Sequence, residues 1–143
     1  MTIKFTHNAF LTRRYQECLS FYCDFCEMRV VKERHGEAES LPRIAWLAPC
    51  AGIEPIFVIA ECPGMTELTA QSEPIMRHFG FEMVDRLAVD RHYQSLHDAA
   101  LNPSQPSYWG PVAGYLFFVR DPDGRVIEFS AEQDVSHANW DRR

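Results

Sequence analysis

The segment FFVRDPDGRVIE, residues 117–128, contains two short apolar runs separated by a polar turn. Aromatic and β-branched residues dominate the runs, which is typical of strands, and the proline and glycine of DPDG suit a tight reversal. The segment therefore predicts a hairpin whose strands are Tyr115 to Arg120 and Val126 to Ala131. Glu128 lies on the inward face of the second strand, where a carboxylate requires a partner.

A strand and a helix are predicted upstream of this hairpin. The strand starts near Ile75, and the helix follows Asp85 and stops at Asn102-Pro103, because asparagine tolerates a left-handed cap and proline cannot continue a helix. Apolar residues recur at helical spacing on one face of this helix, namely Val89, Tyr93, Leu96 and Ala100.

The N-terminal half repeats this order of elements. Ile3, Phe5, Ala9 and Leu11 share one parity while Lys4, Thr6 and Asn8 take the other, which predicts a half-buried strand with His7 on its apolar face. Thr12 is expected to cap a helix that ends near Phe25. Three strands should follow, at Met28 to Glu33, Arg43 to Leu47 and Ile56 to Ala60. The first half therefore reads βαβββ, and the second half begins the same order again.

Equivalent positions in the two halves carry metal-ligand side chains. His7 and His78 lie 71 residues apart in the opening strands, and Val58 and Glu128 lie 70 residues apart in the last strands. Two nearly equal offsets indicate a duplicated module. Two imidazoles and one carboxylate suit a first-row divalent ion with positions open to water and substrate. We predict a metal site formed by His7, His78 and Glu128.

The composition excludes several other classes of function. A formal net charge of -6 without a cluster of basic residues argues against nucleic-acid binding. The N-terminal residues lack the apolar core of a signal peptide, and no run approaches the roughly 18 apolar residues of a membrane span. We expect a cytoplasmic protein without membrane contact, whose five cysteines are reduced thiols.

The remaining ligand-type residues have simpler interpretations. Cys23 and Cys26 have CxxC spacing, but no second cysteine pair matches it, so Cys26 is interpreted as a small core residue. Four further histidines are expected to be solvated: His35, His92, His97 and His137.

Several motifs resemble the glyoxalase, bleomycin-resistance and ring-cleaving dioxygenase superfamily, also called the vicinal oxygen chelate group. They are the strand at His7, Phe21-Tyr22 with Asp24, the run HFGF at 78–81, and residues 117–128. The resemblance covers almost the whole chain, and it assigns the family's metal ligands to His7, His78 and Glu128.

The resemblance implies an α+β fold in which two βαβββ modules form a curved eight-stranded mixed sheet around a central metal-binding cleft. One domain would then occupy residues 1–143. Its parts would be a first module at about 1–61, a linker at about 62–74, a second module at about 75–132 and a tail at 133–143.

Individual residues separate the subclasses of this family. Glyoxalase I enzymes carry a fourth, carboxylate ligand at the position of Val58, whereas extradiol dioxygenases use two histidines and one carboxylate to bind iron. Those dioxygenases have a tyrosine at the position of Phe118 and an acid/base histidine upstream of His78. This chain has neither of these two residues. Glu27 also replaces the family's glycine after the first helix.

The ligand set favours an Fe(II)-dependent extradiol-type dioxygenase acting on a small catechol-like substrate, with Zn(II), Mn(II), Ni(II) and Co(II) as other candidate ions. Two alternatives stay open, a glyoxalase I-like lyase and a bleomycin-resistance-like protein that binds a small aromatic molecule without catalysis. No catalytic residue is assigned. The expected partners are a small-molecule substrate and a second copy of the chain in a homodimer.

Overall fold

The computed structural model describes residues 3–35, 42–52, 56–65 and 78–134. The chain divides into two compact units, residues 1–68 and 69–143. The strand start predicted near Ile75, most of the predicted linker and His137 lie outside the described residues.

The first unit contains one helix and a four-stranded mixed sheet. The sheet has the order β1-β4-β3-β2, with β1 parallel to β4 and the other neighbours antiparallel. The helix buries Tyr15, Cys18, Leu19 and Tyr22, which recur at helical spacing, against the sheet. The elements are β1 (Asn8–Thr12), α1 (Tyr15–Phe25), β2 (Met28–Arg34), β3 (Ile44–Pro49) and β4 (Phe57–Glu61).

The second unit repeats this topology, with the sheet order β5-β8-β7-β6 and β5 parallel to β8. Asp85 caps α2, since its carboxylate accepts a hydrogen bond of 2.8 Å from the backbone N–H of Ala88. The helix ends at Asp98, before the predicted stop at Asn102-Pro103, because Ala99 forms the C-cap and Ala100, with a φ of +60°, takes the left-handed conformation that follows it. The elements are β5 (His78–Glu82), α2 (Arg86–Asp98), β6 (Ser107–Tyr108), β7 (Tyr115–Arg120) and β8 (Val126–Ala131).

The α+β fold of two βαβββ modules is therefore confirmed, with the strands of the described residues distributed over two four-stranded mixed sheets. The strands of the DPDG hairpin have the predicted bounds. Within the described ranges, neither helix has the length and apolarity that crossing a bilayer requires.

The prediction for the first strand is wrong in extent and in face. His7 immediately precedes β1, and Ile3 and Phe5 are 90% and 79% exposed. The opposite face of β1 is covered by α1, because the ring of Phe10 lies 5.8 Å from that of Tyr22, and Phe57 of the neighbouring strand β4 packs on the same face, 5.5 Å from Phe10. The side of the strand that carries His7 is therefore exposed.

Three local predictions gave different results. Thr12 accepts the N–H of Arg14 at 3.0 Å, but the N-cap residue is Arg14, so Thr12 orders the turn before the helix. Cys26 is 7% exposed, which confirms its interpretation as a core residue, and all five cysteines are free thiols. His92 is not a solvated side chain, since its ring lies 4.4 Å from that of Phe129 in edge-to-face geometry.

Glu27 adopts a φ of +49° in the turn between α1 and β2. This left-handed conformation favours glycine, because a side chain there crowds the backbone. The substitution of glutamate for glycine at this position therefore leaves strain in the turn.

Candidate metal centre

His78 and Glu128 lie on the neighbouring parallel strands β5 and β8. Gly80 is registered with Glu128, and His78 precedes Gly80 by two residues, so all three belong to the same face of the sheet. The imidazole Nε2 of His78 is 3.1 Å from Oε2 of Glu128. The side chain of Glu128 is 7% exposed and that of His78 is 28% exposed, so the pair is buried on one side and accessible on the other.

The second oxygen of Glu128 is held by a residue that sequence reasoning missed. Nε2 of Gln133, which follows β8, donates a hydrogen bond of 2.8 Å to Oε1. Gly80 lies next to this oxygen, since a Cβ there would be in ordinary van der Waals contact with it at 3.7 Å. Nothing in the spacing of Gln133, in what was interpreted as a tail, indicated this contact.

The donor atoms of His78 and Glu128 fit a shared divalent ion. Two ligands at about 2.1 Å from an ion and at right angles to each other are about 3.0 Å apart. The separation of 3.1 Å between Nε2 and Oε2 matches this value. The hydrogen bond from Gln133 fixes the orientation of the carboxylate. Metal-ligating side chains in proteins are commonly oriented by such hydrogen bonds from residues that do not touch the ion.

His7 belongs to the first unit, where its side chain is exposed and its Nδ1 is 2.9 Å from Oγ1 of Thr6. Ala9 is registered with Val58 as Gly80 is with Glu128. His7 thus lies two residues before the strand partner of Val58, and His78 lies two residues before the strand partner of Glu128. This equivalence within the two modules supports the repeat, while the joining of His7 to the other two ligands stays a prediction.

Phe118 packs against the candidate metal ligand His78. It is registered with Glu128 across β7 and β8, and its ring centroid lies 5.7 Å from that of His78 in edge-to-face geometry. A second edge-to-face contact of 5.7 Å joins Phe118 to Trp109. Phe118 fixes the imidazole by packing, and it offers no hydroxyl.

The carboxylate of Glu61, at the end of β4, is engaged in an ion pair. Glu61 accepts a hydrogen bond of 2.8 Å from Nε of Arg43 and a second from its Nη2. The hydrogen bonds from this guanidinium lower the pKa of Glu61, chiefly through direct bonding to its charged form. Glu61 is therefore part of an ion pair on the first sheet.

Comparison with known proteins supports the same fold and family. Residues 4–129 match the model of the glyoxalase/bleomycin resistance protein/dioxygenase superfamily. The uncharacterized protein PA2024 of Pseudomonas aeruginosa is 34% identical over 138 residues, which cover 94% of this chain and 93% of that protein.

Solved structures show the fold at low sequence identity. A mutant of the fosfomycin resistance protein FosX from Listeria monocytogenes, complexed with Mn(II) and a dihydroxypropylphosphonic acid, has a TM-score of 0.71 at 15% identity, covering 94% of this chain and 96% of that chain. The trypanothione-dependent glyoxalase I of Leishmania major has a TM-score of 0.66 at 17% identity, covering 92% and 88%. With a family match over most of its length, the chain belongs to the glyoxalase/bleomycin resistance protein/dioxygenase superfamily.

Proposed function

We propose that this protein is a metal-dependent enzyme whose ion is held by His7, His78 and Glu128. The separation of 3.1 Å between Nε2 of His78 and Oε2 of Glu128 is the observation that carries the proposal. When bound, a divalent ion would supply a Lewis acid that holds vicinal oxygens of a substrate. Mn(II) in the complexed Listeria FosX supports a divalent ion in this fold.

The residues around the pair would keep the ligands in place. Gln133 orients the carboxylate through Oε1, so that Oε2 faces His78. Phe118 restricts the imidazole from the side by an edge-to-face contact. The partly exposed His78 leaves access for a small substrate.

The reaction we propose is extradiol-type ring cleavage of a small catechol-like substrate, with Fe(II) as the ion. Val58, which occupies in β4 the position that Glu128 occupies in β8, cannot ligate an ion or accept a proton. This argues against glyoxalase I chemistry, which needs a carboxylate there. A three-ligand set of two imidazoles and one carboxylate suits iron and leaves positions open.

Metal analysis of protein purified without chelator tests the site. We expect about one first-row ion per chain, and its loss in His7→Ala, His78→Ala and Glu128→Ala, because ligand removal weakens the site. His97→Ala and Glu132→Ala are matched controls, since both side chains are exposed and Glu132 pairs with Arg86. Full metal content in Glu128→Ala would contradict the proposal.

Two activity assays test the reaction. Oxygen uptake with catechols should be supported by Fe(II)-loaded protein and lost in His78→Ala. A hemithioacetal isomerase assay on the same preparation should give no turnover. Turnover in the second assay alone would replace the dioxygenase by the glyoxalase-like function, and no turnover in either assay would favour the binding protein.

We also propose that the protein is cytoplasmic and that it forms a homodimer. Ile3 and Phe5, directly before His7, are apolar and almost fully exposed. Pairing with a second copy would remove both from water, and two-fold pairing places the same surface on each side. Light scattering should give twice the chain mass of 16.5 kDa, and Phe5→Ser should shift the protein toward the monomer.

A further inference from the structure

A cavity of about 710 Å³ opens on the second unit between the segment after α2 and the strands β7 and β8. This volume lies within the range of small-molecule pockets, about 300–1,000 Å³. Val119 and Val126 are buried and form part of its lining, and Phe118 connects it to His78. The cavity thus adjoins the candidate metal pair.

Two serine hydroxyls in the polar part of this lining can act as hydrogen-bond donors. Oγ of Ser104 accepts the backbone N–H of Phe118 at 2.9 Å, and Oγ of Ser107 accepts Nε1–H of Trp109 at 2.8 Å. Because each hydroxyl oxygen already serves as an acceptor, its own proton can be donated elsewhere. Both serines line the cavity.

Arg120 is the only charged side chain among the described residues that line the cavity. Its Nη1 donates a hydrogen bond of 2.8 Å to the carbonyl oxygen of Gly124, which fixes one side of the guanidinium. A guanidinium together with hydroxyl donors suits an oxyanion, because charge-assisted hydrogen bonds to carboxylates and phosphonates are the strong ones.

Aromatic rings provide the apolar side of the cavity. Trp109 is 48% exposed although it is a large apolar residue, and it is held in place by its bond to Ser107 and its edge-to-face contact with Phe118. A partly exposed and positionally fixed indole ring is suited to stacking with a flat ligand.

We propose that this cavity binds a small aromatic oxyanion, with its negative group at Arg120 and its ring against Trp109 and Phe118. The identification of this ligand as the substrate rests on the proposed function, since Phe118 joins the cavity to His78. Binding itself needs only residues of the cavity, so it is tested with and without metal.

Benzoate and phenylphosphonate are the probes, with neutral benzamide as the matched control ligand. We expect both anions to bind the full-length protein at least about tenfold more tightly than benzamide, which corresponds to one charge-assisted contact of about 1.4 kcal/mol. Titration calorimetry measures the affinities, and a change in tryptophan fluorescence that Trp109→Phe removes reports contact with Trp109. Equal affinity for benzoate and benzamide would overturn the proposal.

Arg120→Gln should abolish the preference for the anion, and Arg120→Lys should keep most of it because the charge remains. Arg29→Gln is the matched control, since Arg29 also donates a bond of 2.8 Å to a glycine carbonyl, that of Gly52 in the first unit. An unchanged preference in Arg120→Gln, or an equal loss in Arg29→Gln, would contradict the proposal.

The Glu128→Ala variant separates this inference from the proposed function. We expect it to lose metal and to keep the preference for benzoate over benzamide. If Glu128→Ala loses both the metal and the preference for benzoate, the proposal that the cavity binds independently of the metal is wrong. If the protein binds no metal but still prefers benzoate, only the proposed function is contradicted.

Discussion

The side-chain amide of Gln133 donates a hydrogen bond of 2.8 Å to Oε1 of Glu128, while Oε2 of the same carboxylate lies 3.1 Å from Nε2 of His78. The two oxygens of one buried carboxylate thus have separate partners. In the proposed metal site Gln133 would be a positioning residue, because it would act on the ion only through Glu128.

Replacement of Gln133 by leucine should weaken metal binding about 10- to 100-fold, the usual cost of removing an outer partner of a ligand. Competition with a chromophoric chelator measures the dissociation constant. Gln94→Leu is the matched control, because Gln94 donates a hydrogen bond of 2.7 Å to the exposed carboxylate of Asp98. Equal metal affinity in the Gln133 and Gln94 variants would show that Gln133 has no positioning role.

Gly114 permits the close approach of the β6–β7 turn to the end of β8. It has a φ of +78°, and a Cβ at this position would lie 2.2 Å from the carbonyl oxygen of Ala131. Gly114→Ala should therefore lower the free energy of unfolding by about 3 kcal/mol, measured by urea denaturation, because the contact is with backbone that cannot rotate away. Gly64→Ala, where no atom lies within 4 Å of the added Cβ, should change the stability little. Similar stabilities of the two variants would contradict this interpretation.

Glu27→Gly should raise the free energy of unfolding by about 0.5 to 1 kcal/mol. The left-handed φ of +49° costs a non-glycine residue about 1 to 2 kcal/mol, which exceeds the entropy that glycine adds to the unfolded chain. Glu17→Gly, at an exposed position within α1, should instead lower stability by about 1 kcal/mol. Urea denaturation of both variants checks the prediction. A comparable loss of unfolding free energy in the two variants would refute it.

The cysteines should differ in their rate of reaction with Ellman's reagent at pH 8. Cys50 is exposed, whereas burial and the neighbouring charge of Asp24 raise the pKa of the half-buried Cys23. The thiolate is the reactive form, so Cys23 should react more slowly than Cys50. Cys50→Ser should remove the fast phase and Cys23→Ser should leave it. Cys18 and Cys26 are buried and should react only after unfolding. A fast phase that survives in Cys50→Ser would disprove the assignment of that phase to Cys50.

Periodicity and turn residues predicted the hairpin and the start of the helix in the second module, because both have strong local signals. The hairpin bounds follow from apolar runs on either side of DPDG, and the helix start follows from Asp85, which caps it. The repeat also predicted that His78 and Glu128 approach each other, since parallel strands with a common register bring equivalent faces together.

The first strand and the second contact of Glu128 were decided by tertiary structure. Alternation in residues 3–11 shows that one side of a strand is more apolar, but the face that is buried depends on the position of α1, which covers Phe10. The contact between Gln133 and Glu128 depends on how the chain turns after β8, which no periodicity encodes. The sequence by itself thus determined the βαβββ order of the first module, its repetition in the second and the ligand types, because these depend on local propensity and repetition. The tertiary structure decided burial and hydrogen-bond partners, because these depend on packing between distant segments.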